Sequence, residues 1–223
     1  MTVAALLDLD GTLVDANYQH TLAWFRALRA HGIVVPIWRI HRHIGMGGDQ
    51  LVTAVAGEAA EERVGDELRN AEHQEFLRMR DECEALDGAR ELLAELRERG
   101  ATVVLASSAS EDDAEHFLGL LGSDVAIDAW TTSGDVERSK PHPDIVNAAL
   151  EKANGADRAV MIGDSRWDIE AAANAGLETV CVLTGGWSEQ ELTESGASCV
   201  FESLVELRRR LDETALFAPG RRE

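Results

Sequence analysis

Positive charge is scarce in this sequence. Its 223 residues include 21 lysines and arginines against 41 aspartates and glutamates, which gives a formal net charge of -20. The electrostatic field of a protein with this negative charge repels polyanions, so nucleic acid and anionic membranes are not expected as partners. Only two of the cations are lysines, Lys140 and Lys152. A site that requires a lysine therefore has two candidates.

Cysteines and long apolar runs are also few. The three cysteines, Cys83, Cys181 and Cys199, lack the spacing of metal ligands and cannot all pair within one chain, which favours reduced thiols. No stretch reaches the length of a membrane span, and the N-terminus does not have the pattern of a signal peptide. We therefore expect a cytoplasmic protein with no membrane partner.

A short apolar run at the N-terminus leads into two carboxylates. Residues 3–7 are all apolar, which predicts a short buried strand, and Asp8, Asp10 and Gly11 follow this first strand. Side chains alternate along a strand, so Asp8 and Asp10 share one side of the extended backbone. Two nearby carboxylates repel each other, and they need a cation, a shared proton or strong hydrogen bonds. The alternative to a functional carboxylate pair is an acidic turn that has no function.

The rest of the chain divides into a helical part and an alternating part. From Asp15 to about residue 83 the apolar spacing is helical and contains no convincing strand. Helices then alternate with short apolar strands, which we predict at residues 102–106, 129–132, 159–162 and 179–183. Apolar strands without alternation are typical of a parallel sheet covered on both faces. The pattern predicts an α/β fold.

Polar side chains follow several of these strands. Ser107 and Ser108 follow the second strand, Lys140 lies in a loop before Pro141, and Asp164 follows a later strand. The carboxyl ends of parallel strands meet at one edge of a sheet. We therefore expect these side chains to converge on the carboxylates that follow the first strand.

With these motifs in this order, the sequence resembles the haloacid dehalogenase-like superfamily. The resemblance spans essentially the whole chain and points to the branch of phosphoglycolate phosphatase-like and β-phosphoglucomutase-like enzymes. It implies a Rossmann-like parallel-sheet core formed by residues 1–14 and 84–223, with an all-helical cap inserted as residues 15–83. The two crossings between these parts, near residues 14–17 and 84–88, are the expected hinges of cap opening.

The resemblance also implies roles for the core residues. Asp8 would be the nucleophile that forms an aspartyl-phosphate, and Asp10 would transfer protons to the leaving group and from water. The carboxylates of Asp8 and Asp164 and the backbone carbonyl of Asp10 would bind a metal ion, and an oxygen-only set suits Mg²⁺. Lys140 would offset the negative charge of phosphate and of Asp8.

Further positions have both a functional and an ordinary interpretation. Ser107 resembles the family's phosphate-binding hydroxyl, with the amide of Ser108 as a second donor, although serines in such a loop are often only helix caps. Asp168 would order Lys140 or a metal-bound water. An acid near the start of a helix is also common for another reason, since its charge interacts favourably with the helix dipole.

The helical segment offers fewer signals. His20 lies where mutase-like relatives carry a histidine that faces the active site, although a helix histidine is often merely exposed. A basic cluster precedes a glycine loop at residues 45–48 and could contact the non-phosphate part of a substrate or could be a solvated face; its members are Arg39, His41, Arg42 and His43.

These interpretations favour a magnesium-dependent phosphatase that hydrolyses a small phosphorylated metabolite. A sugar phosphomutase of the β-phosphoglucomutase type and a non-catalytic phosphate-binding module are the alternatives. Dehalogenation is disfavoured, because the dehalogenating relatives lack an aspartate at the position of Asp10. A cap Schiff base is disfavoured because no lysine occurs between Asp15 and Cys83. The sequence leaves open the substrate and the choice between monomer and homodimer.

Overall fold

A parallel β-sheet forms the centre of the protein. The computed structural model describes residues 2–122 and 127–218. The strands are β1 (Val3–Leu7), β2 (Val14–Asp15), β3 (Glu84–Ala85), β4 (Ala101–Ala106), β5 (Ala129–Thr131), β6 (Arg158–Gly163), β7 (Glu178–Val182) and β8 (Cys199–Phe201). The α-helices are α1 (Asn17–Ala30), α2 (Ile37–His41), α3 (Gly48–Ala56), α4 (Glu58–Leu77), α5 (Ala89–Glu98), α6 (Glu111–Leu121), α7 (Asp144–Lys152), α8 (Arg166–Asn174), α9 (Glu189–Ser195) and α10 (Leu204–Arg209).

The order of the strands places β1 at a switch point of the sheet. Six strands pair in parallel in the order β5-β4-β1-β6-β7-β8. Leu7 at the end of β1 lies opposite Leu105 of β4 and Ile162 of β6, so the carboxyl ends of the three strands coincide. Open α/β sheets bind ligands at such a point, because the connections leave the central strand in opposite directions there.

Helices cover both faces of the sheet, as the apolar strands predict. The alternation along β1 places Ala5 and Leu7 in one buried cluster and Ala4 and Leu6 in another. Helices α5, α6 and α10 contribute to the first cluster, and α7 and α8 contribute to the second. The predicted Rossmann-like α/β core is confirmed, and its burial on two faces explains why the strands are almost entirely apolar.

The helical segment between β2 and β3 has an apolar cluster of its own. Helices α1 to α4 bury Trp24, Ile40, Leu51 and Leu68 against one another. The two crossings that join this segment to the sheet are β2 and β3, which pair antiparallel through Val14 with Ala85 and Asp15 with Glu84. Sequence reasoning predicted hinges here without the strands, since a two-residue strand has no periodicity to detect.

Several element boundaries differ from their predicted positions. The apolar spacing from Ile169 to Ala175 predicts a helix there, but α8 begins earlier, at Arg166, because Ser165 and Asp168 form a capping box. Strand β8 and helix α10 were not predicted, and both are short. Within the described residues, no helix combines the length and the apolar composition needed to cross a membrane. The predicted core boundary at residue 223 lies outside the described residues.

Candidate active site

In the turn after β1, the backbone of Gly11 lies against the side chain of Asp164. Asp8 is buried, and its N–H donates to the carbonyl of Ile162 at 2.9 Å, which fixes the end of the strand. Gly11 has a φ of +80°, and a Cβ at this position would lie 2.5 Å from Asp164 Oδ2 and 2.2 Å from Asn17 Nδ2. A side chain would therefore collide with the site as well as strain the turn.

Lys140 joins two carboxylates at the base of the site. Its Nζ donates to Asp8 Oδ1 at 2.5 Å and to Asp168 Oδ1 at 2.7 Å, and the side chain is only 1% exposed. Burial alone would lower the pKa of Lys140, but Asp168 and Asp8 outweigh it and raise that pKa. The buried lysine is therefore held in its charged form. The peptide bond that follows, to Pro141, is cis.

Asp164 is oriented by two donors, one from the turn after β1 and one from the first residue of α1. Thr12 Oγ1 donates to Asp164 Oδ1 and Asn17 Nδ2 donates to Asp164 Oδ2, each at 3.0 Å. Burial, followed by the negative charge of Asp168, raises the pKa of Asp164 to about 7. The sequence predicted Asp164 as a site residue, whereas Asn17 was predicted only as the end of an expected hinge.

A divalent cation fits this cluster of carboxylates. Oxygens of Asp8, Asp164 and Asp168 lie within 4.8 Å of one another, and all three residues are buried. Burial also raises the pKa of Asp8, against the opposing effect of Lys140. One ammonium group therefore faces three crowded carboxylates, and an all-oxygen donor set favours a hard cation.

Asp168 differs from the other two carboxylates because both of its oxygens already have donors. Oδ1 accepts from Lys140, while Oδ2 accepts from the Ser165 amide at 3.1 Å and from the Ser165 hydroxyl at 2.7 Å. The capping box thus holds Asp168 in one orientation. This arrangement suits a residue that positions Lys140.

Asp10 lies beside a histidine that the helical segment supplies. Asp10 Oδ1 is 3.7 Å from His20 Nε2, and it has no hydrogen-bond partner among the described residues although it is buried. His20 Nδ1 is 3.0 Å from Glu72 Oε1, and the ring stacks on Phe76. Burial alone would lower the pKa of His20, but Asp10 and Glu72 raise it to about 10. His20 is thus held as a cation beside Asp10.

The loop after β4 supplies hydroxyl groups next to the carboxylates. Ser107 is buried, and its Oγ accepts a hydrogen bond from the Ala109 amide at 3.0 Å. A hydroxyl that accepts a bond can still donate its own proton. Ser108 Oγ is buried and has no partner within the described part of the chain. Ser108, unlike Ser107, is one of the residues that line the adjoining cavity.

This cavity has a volume of about 560 Å³ and lies between the sheet edge and the helical segment. The sheet side contributes Asp8, Asp10, Ser108 and Lys140 to its wall. The helical segment contributes polar, charged and aromatic side chains, namely His20, Trp24, Asp49, Arg69, Asn70, Glu72 and His73. Of the two candidates predicted in this segment, the structure brings His20 into the site.

The other candidate, Arg42, lies elsewhere. Its Nη2 is 2.5 Å from Glu191 Oε1, and its guanidinium lies 3.3 Å from the centroid of the Trp187 ring. Arg42 and the remaining members of the basic cluster, Arg39, His41 and His43, do not line the cavity. The arginine instead joins the helical segment to helix α9, where cation–π and ionic contacts hold it.

Asp49 connects the helical segment to the loop that carries Ser139 and Lys140, and the sequence did not predict this role. It accepts hydrogen bonds from the Ser139 amide at 3.1 Å and from the Ser139 hydroxyl. The amide of Gly47 donates to the same hydroxyl at 3.0 Å. Burial would raise the pKa of Asp49, but the bonds from Ser139 outweigh it and lower that pKa. An acid directly after the glycine loop was the available signal.

Comparison with known proteins identifies the family. The family described as haloacid dehalogenase-like hydrolase matches residues 2–176 of this chain. A crystal structure of a hydrolase from Pseudomonas syringae superposes with a TM-score of 0.90 at 36% sequence identity, covering 96% of this chain and 100% of that one.

Two curated relatives extend the comparison. Validoxylamine A 7'-phosphate phosphatase from Streptomyces hygroscopicus subsp. limoneus is 29% identical, covering 93% of this chain and 97% of its own. A phosphoglycolate phosphatase from Nitrosococcus oceani is 25% identical, covering 94% of this chain and 96% of its own. The family predicted from the motifs is thereby confirmed, and the chain belongs to the haloacid dehalogenase-like hydrolases.

Proposed function

We propose that this protein is a magnesium-dependent phosphatase that hydrolyses the phosphate monoester of a small metabolite through an aspartyl-phosphate on Asp8. The observation that carries the proposal is the contact of Lys140 with Asp8 beside Asp164, at the switch point of the sheet and at the wall of the cavity. The phosphatases among the curated relatives support the same reaction.

The metal would be held by oxygen atoms from the ends of two strands. We assign it to the carboxylates of Asp8 and Asp164 and to the backbone carbonyl of Asp10. When bound, Mg²⁺ would supply positive charge that offsets the repulsion between phosphate and the attacking carboxylate. Thr12 and Asn17 would keep Asp164 in its binding orientation, since each already donates a hydrogen bond to it.

The first step transfers the phosphoryl group to Asp8. A carboxylate oxygen of Asp8 forms a bond to phosphorus while the bond from phosphorus to the ester oxygen breaks, and that oxygen leaves with the electron pair. Lys140 holds Oδ1 of the Asp8 carboxylate by a hydrogen bond and offsets part of the phosphate charge. Ser107 and the amide of Ser108 would hold the remaining phosphate oxygens.

Asp10 would carry the protons of both steps. It gives a proton to the leaving oxygen and later takes one from the water that attacks the aspartyl-phosphate, which releases phosphate and restores Asp8. His20 would position Asp10, because Glu72 and Phe76 fix the imidazole beside it. We further propose that residues 15–83 act as a cap, since they form the other wall of the cavity.

Phosphate release from a substrate panel tests this proposal. Sugar phosphates, phosphoglycolate and nucleotides are incubated with the protein, with Mg²⁺ or with a chelator. We expect phosphate to be released from at least one ester, and only when the metal is present, because the crowded carboxylates need its charge. Isomerised sugar phosphate without free phosphate would indicate a mutase instead. Binding of phosphate without turnover of any ester would indicate a non-catalytic module.

The Asp10→Asn variant tests the assignment of proton transfer. An amide cannot accept the proton of the attacking water, so we expect the second step to slow and the phosphorylated protein to accumulate. Acid quench during turnover and intact mass measurement would detect one added phosphoryl group. Asp81→Asn, at an exposed position outside the cavity wall, is the matched control. Equal amounts of phosphorylated protein in both variants would contradict the assignment.

A further inference from the structure

The cavity wall carries more acids than cations. Six carboxylates line it, and they belong to Asp8, Asp10, Asp49, Glu72, Asp113 and Glu137. The lining side chains that can carry positive charge are Lys140, Arg69, His20 and His73. Four of the six acids lie outside the proposed metal ligands, namely Asp49, Glu72, Asp113 and Glu137. Asp113 is paired with Arg80 at 3.1 Å and Glu72 with His20 at 3.0 Å, whereas Asp49 and Glu137 form no ion pair among the described residues. The unpaired negative charge beyond the place where the phosphate would bind is therefore that of Asp49 and Glu137.

Each of these cations already has carboxylate partners. Arg69 Nη2 is 2.9 Å from Glu61 Oε1 and 2.8 Å from Asp66 Oδ1. His73 Nδ1 is 3.7 Å from Asp113 Oδ2. Lys140 and His20 each lie between two carboxylates, as described above. Within the described part of the wall, a second anionic group on a substrate would thus have to compete for a cation that is already paired.

The wall instead suits groups that donate hydrogen bonds. Carboxylates accept bonds from hydroxyl and ammonium groups, and neutral polar side chains of Asn70, Ser110 and Ser133 also line the cavity. A carboxylate or second phosphate on the substrate would lose water and gain like charges as neighbours. A hydroxyl or an ammonium group in the same place would find acceptors.

We infer that the site selects phosphate monoesters whose leaving group is a neutral or cationic polar alcohol, and that it discriminates against esters with a second anionic group. The inference rests on the proposed phosphatase function and names the substrate class of the same site. Phosphoglycolate, which the name of one relative contains, belongs to the disfavoured class. Sugar bisphosphates, which a mutase of the alternative type would reorient, belong to it as well.

Two matched sets of substrates test the inference. We would measure kcat/KM with Mg²⁺ for phosphoethanolamine, glycerol 3-phosphate and 2-phosphoglycolate, which are small esters of different charge. The second set is glucose 6-phosphate and glucose 1,6-bisphosphate. We expect the neutral and cationic esters to exceed the acidic ones at least about tenfold, the ratio that a difference of about 1.4 kcal/mol produces.

A charge reversal at the rim tests the electrostatic cause. Glu137 is exposed and has no role in the proposed chemistry. In Glu137→Lys we expect kcat/KM for 2-phosphoglycolate to rise several-fold relative to glycerol 3-phosphate. Glu62→Lys, at an exposed position of α4 outside the cavity wall, should leave that ratio unchanged.

The outcomes separate the inference from the function on which it rests. Hydrolysis of 2-phosphoglycolate or of the bisphosphate as fast as its neutral counterpart would overturn the inference and leave the phosphatase intact. An identical substrate ratio in the wild type and in Glu137→Lys would contradict the proposed role of charge. If none of the esters released phosphate, the proposed function itself would fall.

Discussion

Replacing Asp8 by asparagine is expected to reduce phosphate release at least about a thousandfold, which corresponds to a barrier about 4 kcal/mol higher. The amide has nearly the same shape as the carboxylate, but it lacks the negative charge and the nucleophilic oxygen that would attack phosphorus. It would also be a weaker ligand for the metal. We therefore expect no phosphorylated form of this variant, even where Asp10→Asn accumulates one.

This variant should still fold, which makes its loss of activity interpretable. Burial raises the pKa of Asp8, so its ionised form is costly in the folded protein, and the asparagine oxygen can still accept a bond from Lys140. Circular dichroism and thermal unfolding would verify the fold, and Asp81→Asn again provides the control at an exposed aspartate. Turnover at the wild-type rate in Asp8→Asn would rule out Asp8 as the nucleophile.

The core of the candidate site could be predicted because its residues stand where strands end. Asp8 directly follows β1, and Asp164 follows β6, so two elementary rules suffice: apolar runs form strands, and parallel strands share an edge. Lys140 was harder to place, because it lies in the loop before α7. Its rarity in this sequence made it a candidate, and the structure shows it buried between Asp8 and Asp168.

The wall of the cavity could not be predicted in the same way. The orientation of a helix relative to a sheet depends on packing between residues that are distant in sequence. Arg42 and His20 were both candidates in the helical segment, yet of the two only His20 lines the cavity, while Arg42 contacts Trp187 and Glu191. No local periodicity distinguishes these two outcomes.

The sequence also missed Asn17 and Asp49, for a different reason. Asn17 stands at the first position of α1, and Asp49 in the first turn of α3, where polar residues are common without any function. Their distant contacts, with Asp164 and Ser139, exist only once the chain has folded. The sequence therefore predicted the groups proposed to react and one of the groups proposed to orient them, Asp168, while these two residues needed the structure.

The two lysines of the chain provide the second test, since only one of them is buried. Lys140→Met removes the ammonium group that Asp8 and Asp168 share, and breaking a buried ion pair in this way costs about 3–5 kcal/mol. We expect the free energy of unfolding to fall by that amount in metal-free buffer. Turnover should also be lost, because nothing else in the described site holds the Asp8 carboxylate by an ammonium group.

Lys152→Met is the matched control for this change. Lys152 is partly exposed, and it contacts the Trp130 carbonyl at 2.8 Å and Asp135 at 3.2 Å, so its loss should cost at most about 1 kcal/mol. Equal destabilisation of the two lysine variants, measured by chemical denaturation, would contradict the proposed importance of the buried pair.

Added magnesium should separate the role of Lys140 in charge balance from its role in packing. A ligand that binds only the folded state stabilises it, and it stabilises most where it relieves the greatest repulsion. If Lys140 balances the buried carboxylates, Mg²⁺ will raise the melting temperature more in Lys140→Met than in the wild type, because the cation then replaces the missing charge. If the lysine only fills space, methionine will replace it well, and the metal will shift both proteins equally. Thermal unfolding with and without Mg²⁺ therefore shows whether the metal ion can replace the positive charge of the Lys140 ammonium group.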